Sequence, residues 1–184
     1  MLEVPELSHA RVSIGTRLTA PLFMGGGTVE GQIHLKIDGG SATSRRKSRP
    51  TMSIGRIAVD VLGVEAVQGR QHIFRNLAVE LINENHPPPG TMVVASQKRF
   101  DAFWEVQSSV SVLPFRVNLP INMGPPPYKT KNASIRYIVC VTVMTNIAGK
   151  VHHVRQSHEV AVLTVHDRTS TARVDGVPDL TVHS

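Results

Sequence analysis

The sequence predicts an all-β, antiparallel, immunoglobulin-like β-sandwich with at most one short helix. Three observations predict it. Apolar and polar residues alternate with period two in stretch after stretch, glycine- and proline-rich stops separate those stretches, and helical spacing is rare. The 184 residues suit one hydrophobic core, since a single core keeps growing until roughly 250 residues. Hydrophobic residues make up 41% and charged residues 18%, so the chain can bury a core and stay soluble.

The first clear strand sets Val29, Gly31, Ile33, Leu35 and Ile37 against Glu30, Gln32, His34 and Lys36. That pattern turns one face to a core and the other to water. Ile57, Val59 and Val61 alternate with Arg56, Ala58 and Asp60 in the same way, as do Phe115, Val117 and Leu119 with Arg116 and Asn118. The longest run is Ile135, Tyr137, Val139, Val141 and Val143. From Val154 to Val165 the chain stays rich in β-branched residues but changes phase, as a bulge or a strand crossing between sheets requires. Gly25-Gly26-Gly27, Asp38-Gly39-Gly40, Pro87-Pro88-Pro89-Gly90 and Pro125-Pro126-Pro127 are the stops.

One segment breaks the rule. Ile73, Leu77 and Leu81 recur at helical spacing, with Phe74 and Ala78 beside them, which predicts a short helix over 73–82, an irregular strand being the alternative. Ser41 to Pro50 reads as a mobile loop. Residues 1–166 are expected to form the sandwich, and 167–184 a polar tail or linker.

Lys and Arg outnumber Asp and Glu by 20 to 14, a net charge of +6, which favours acidic partners. Nucleic acid is not expected among them: aromatic residues are only 4% and do not interleave with the basic clusters, so base-stacking platforms are missing. The single cysteine, Cys140, excludes an internal disulfide and a cysteine zinc cage, and points to a reducing compartment. Residues 1–10 hold no apolar signal core, and no uncharged run approaches the ~20 residues that span a bilayer. Of the nine histidines, His152, His153, His158 and His166 invite a metal reading, but neither H-E-x-x-H nor a Cys-His pattern occurs, and no metal or cofactor is expected. Gly25-Gly26-Gly27 lacks the Gly-Lys-Ser/Thr of a phosphate loop, and no serine or cysteine sits in a nucleophile elbow. No catalytic set can be nominated, and no enzyme activity is expected.

Three ordered blocks resemble the arrestin amino-terminal domain, especially its α-arrestin (arrestin-domain-containing) branch. Pro21, then Gly25-Gly26-Gly27-Thr28-Val29-Glu30-Gly31-Gln32-Ile33, is similar to the family's P-x-Y-x-x-G-E-x-V-x-G-x-V, with Phe23 near its aromatic and Gly31 at its strand glycine. Ile57 to Glu65 is similar to the strand ending in L-x-G. Leu113-Pro114-Phe115-Arg116-Val117-Asn118-Leu119-Pro120, followed by Ala133-Ser134-Ile135-Arg136-Tyr137, resembles the family's FPFSFxLP…GSIRYxV hairpin. The blocks span Pro21 to Val143. The resemblance implies a cytoplasmic adaptor, peripheral to plasma membrane or endosomes, that binds membrane-protein tails and links them to ubiquitination and endocytic trafficking. A structural arrestin-fold subunit of a coat or sorting complex, like that of retromer, is the alternative. Arrestins have two sandwiches, so the resemblance also implies a second domain beyond this chain. Arg136 falls where the visual and β-arrestin branch carries an acidic polar-core residue, so that phosphate-triggered switch is not carried over.

Two candidate sites follow. Pro125-Pro126-Pro127-Tyr128 fits the P-P-x-Y motif, a preformed polyproline II segment that docks on WW domains, and in α-arrestins such motifs recruit WW-containing ubiquitin ligases. The alternative is that these residues only shape the loop, with Tyr128 packing on the sandwich. Arg45, Arg46, Lys47 and Arg49, with Arg11 and Arg17 near the first strand, are candidates for contact with phosphates or an anionic membrane surface, the alternative being solvated charge.

Overall fold

A computed structural model describes residues 6–38, 51–92 and 103–164. Ten strands account for the regular structure: β1 (Val12–Leu18), β2 (Leu22–Met24), β3 (Thr28–Ile37), β4 (Met52–Val67), β5 (Arg70–Ile82), β6 (Trp104–Val106), β7 (Ser109–Asn118), β8 (Tyr128–Lys129), β9 (Ala133–Ile147) and β10 (Lys150–Leu163). Among the described residues there is no helix, and none long and apolar enough to cross a membrane.

The strands form two sheets. A three-stranded sheet runs β1-β3-β7, and a seven-stranded sheet runs β2-β10-β9-β4-β5, with β6 beside β4 and β8 beside β9. Pairing is antiparallel except where β10 meets β2, at Ala161–Leu163 against Leu22–Met24. The alternation expected for β3 and β7 is met: Val29, Ile33, Leu35 and Ile37 are buried, as are Phe115, Val117 and, just past the end of β7, Leu119. They face Ile57, Val59 and Val61 of β4 and Ile135, Tyr137, Val139, Val141 and Val143 of β9 in one core cluster. Gly31 is held to glycine by crowding. A Cβ there would lie 2.6 Å from the Arg17 carbonyl oxygen and 2.7 Å from the Phe115 ring.

The helix expected over 73–82 is a strand. β5 pairs with β4 from Val67↔Arg70 to Ile57↔Ile82, with register shifts at Gly63/Val64 and Ile57/Ala58. Val64 pairs with Ile73 while Gly63 pairs with Arg75, and Ala58 pairs with Glu80 while Ile57 pairs with Ile82. Phe74 and Leu81 are therefore the extra residues of two bulges. Each extra residue shifts the in–out alternation by one, so two bulges turn a period of two into spacings that imitate a helix.

The phase change expected in the last strand is not found: Val154, Val160 and Val162 are all buried on one face. β10 pairs with β9 from Lys150↔Ile147 to Val160↔Tyr137 without a register shift and stays in the same sheet. What changes is its other neighbour, which is β2 from Ala161 onward. β7 and β9 lie in different sheets, so the third family-like block is a crossover between layers and not a hairpin. The Ser41–Pro50 loop and the 167–184 tail lie outside the described residues.

Candidate functional site

The crossover after β7 carries the proline motif, and three contacts from other strands fix its entry. Arg75 Nη2 donates to the Asn122 carbonyl at 2.9 Å. The Tyr137 hydroxyl donates to the carbonyls of Pro125 at 2.8 Å and Met123 at 3.3 Å. Tyr137 is fully buried, and burial pushes its hydroxyl above the usual phenol value, so it remains a donor throughout the neutral range. Its ring meets Phe74 edge to face at 5.9 Å. Between them sits Gly124 with φ +114°, where a Cβ would lie 2.7 Å from the Phe74 ring. Only glycine fits there, by conformation and by space.

Held from below in this way, Pro125, Pro126, Pro127 and Tyr128 are all exposed. Tyr128 is 43% exposed and lies outside the core, with the rest of its surface covered at the edge of the sandwich. It borders an open hollow of about 440 Å³, shared with Ala66, Gln71, Asn132 and Arg136. Its backbone pairs with Ile135, and Lys129 with Ser134, in a two-residue ladder. Thr130 closes that hairpin, donating to the Ala133 carbonyl through both its amide and its hydroxyl.

Arg11 and Arg17, the two basic candidates among the described residues, do not converge. Arg11 and Arg17 stand at opposite ends of β1, about 20 Å apart at ~3.3 Å per residue. Arg11 is half-buried and donates through Nε to the Asp38 carbonyl at 2.7 Å, tying β1 to the end of β3. Arg17 is exposed on the outer face of the small sheet, opposite Gln32. Arg45, Arg46, Lys47 and Arg49 lie outside the described residues. Neighbouring His152 and His153 project to opposite faces of β10 and cannot share a ligand.

Two features escaped sequence reasoning. The outer face of the large sheet carries a hollow of about 450 Å³ lined by Leu62, Val64, Ile73, Ile138 and Cys140, with Asp60 and Arg155 beside them. Burial pushes both the Asp60 carboxyl and the Cys140 thiol above their ordinary values. The signal was present in the unbroken apolar run Ile138-Val139-Cys140-Val141, which marks a strand apolar on both faces. The second feature is the seam where β1 overlies β10. The Thr16 hydroxyl donates to Gln156 Oε1 at 3.0 Å, and below it opens a groove lined by Leu18, Pro21, His158 and Glu159. His158 Nε2 is buried with no hydrogen-bond partner among the described residues.

The two unequal sheets, their connections and their shared core define an arrestin-like β-sandwich. The solved structure of Spo0M, a sporulation control protein from Bacillus subtilis, has a similar fold: TM-score 0.52 at 13% sequence identity, over 85% of this chain and 51% of that one. At that identity the likeness is one of fold, and this chain spans about half the length of its structural neighbour. No family model and no curated protein matches the chain in sequence.

Proposed function

We propose that the chain is a non-catalytic adaptor that binds cytoplasmic segments of membrane proteins and links them to ubiquitination and endocytic trafficking at the plasma membrane or endosomes. The arrestin-like sandwich supports the adaptor class, and the α-arrestin resemblance of the three sequence blocks supports this branch of it. The observation that carries the reading is the outward presentation of Pro125 to Tyr128 on a loop anchored by Tyr137. A WW domain binds a rigid polyproline segment and a following aromatic ring, and a loop already ordered loses little entropy on docking.

Cargo segments would bind by strand addition in the seam. The outer edge of β10 is paired at Arg155, by Leu7, and at Ala161, whose amide donates to Pro21. Alternate residues of a strand direct their backbone groups to the same side, so Ser157 and Glu159 offer theirs in the interval. Calorimetry of the intact chain with a WW domain specific for P-P-x-Y tests the ligase link. Saturable binding that disappears with Tyr128→Ala is expected, and absence of binding by the intact chain would refute it.

A further inference from the structure

We propose that residues Glu6 to His9 form a pH-released strap on the edge of β10, docked near neutral pH and detached on mild acidification. This segment leaves β1 and runs back along β10. Leu7 and Arg155 exchange two backbone hydrogen bonds, Leu7 N–H to Arg155 O at 3.2 Å and Arg155 N–H to Leu7 O at 2.8 Å. Among the described residues little else holds it. Leu7 is 39% exposed, and Glu6 and Ser8 are exposed, so almost no apolar burial backs the pairing. A segment with few buried contacts and one short ladder opens at low free energy.

The remaining anchor is His9. Its ring stacks at a tilt on that of His152, centroids 4.9 Å apart. Its Nδ1 accepts a hydrogen bond from the Arg11 amide at 3.2 Å, and its carbonyl accepts from the Val12 amide at 3.0 Å, forming the turn that leads into β1. An imidazole nitrogen that accepts an N–H must carry a lone pair, so the docked His9 is neutral with its proton on Nε2. Protonation replaces that lone pair with a proton and removes the hydrogen bond. It also places a cation against His152 of β10 and Arg11 of the same segment. Asp38, at the end of β3, accepts from Arg11 Nε through its carbonyl.

Burial, then His152, then Arg11 hold His9 below the ordinary imidazole value of 6.5. For a depressed base the docked state binds fewer protons than the detached one, so docking is fully favoured above pH 6.5 and weakens as pH falls below it. Detachment frees the Arg155 backbone groups and extends the edge left open at Ser157 and Glu159. That consequence for partner binding rests on the strand-addition reading given above.

Amide hydrogen exchange on the full chain, at pH 7.5 and 5.5 and corrected for intrinsic rates, tests the strap. The Leu7 and Arg155 amides should lose protection severalfold at pH 5.5, up to about tenfold one unit below the free imidazole value, while Val59 and Val139 in the core hold theirs. His9→Gln should abolish the difference between the two pH values. Unchanged protection in the wild type, or an undiminished pH effect in His9→Gln, would overturn the proposal. A capped (Thr-Val)₃ probe peptide read at the Ser157 and Glu159 amides separates the two readings. Loss of Leu7 and Arg155 protection with no probe binding at either pH leaves the strap standing and removes strand addition.

Discussion

Gly124 and Tyr137 show how little side chain decides whether the proline motif faces outward. Gly124→Ala forces a Cβ into the Phe74 ring at a φ of +114°, and strain of this kind costs on the order of 1–3 kcal/mol. Urea denaturation should show that loss. Tyr137→Phe keeps the ring and its edge contact with Phe74 but leaves the Pro125 carbonyl without its 2.8 Å donor, a loss of about 1 kcal/mol. In that variant the loop should exchange its amides faster while the core does not. The motif itself was legible in the sequence because Pro125 to Tyr128 are contiguous. Its presentation was not, because two of the residues that set it, Phe74 and Arg75, belong to β5, far back along the chain.

Strands were legible where one face is dry and the other wet. β3 and β7 met the alternation because their outward residues face water or a polar neighbour, and β9 kept its core face from Ile135 to Val143 although Ile138 and Cys140 on its other face are buried too. β5 was misread because Phe74 and Leu81, each inserted without a partner on β4, break the alternation twice. β2, β6 and β8, of three, three and two residues, are too short for any period to register. The strand assignment of β5 has a mutational signature. A helix would place Ile73, Leu77 and Leu81 on one face, whereas the strand leaves Ile73 54% exposed and buries Ile82 at 1%. Ile82→Ala should cost about 2–4 kcal/mol and Ile73→Ala within about 0.5 kcal/mol, read from denaturation midpoints. Equal losses at the two positions would contradict the strand.

Over the whole molecule, the two-faced apolar strands β4 and β9 give the large sheet a core on one side and the Asp60–Cys140 hollow on the other. Asp60 pays for that position. Its carboxyl is raised above 3.8, chiefly by burial, against the opposing pull of Arg56 and Arg155. A raised acid binds more protons folded than unfolded, so the penalty is absent below pH 3.8 and complete above its folded value. Asp60→Asn should therefore raise stability at pH 7 and leave it unchanged at pH 3.5, as urea midpoints at the two pH values would show.

The central claim is that a rigid arrestin-like sandwich presents Pro125 to Tyr128 outward for a WW domain. Amide chemical-shift mapping of the intact chain during titration with such a domain tests it most directly. The account predicts perturbations confined to Asn122–Tyr137 and the adjoining Ala66–Gln71 turn, with none across β3 and β7 and none at all in Tyr128→Ala. Perturbations centred elsewhere, or persisting in Tyr128→Ala, would contradict it.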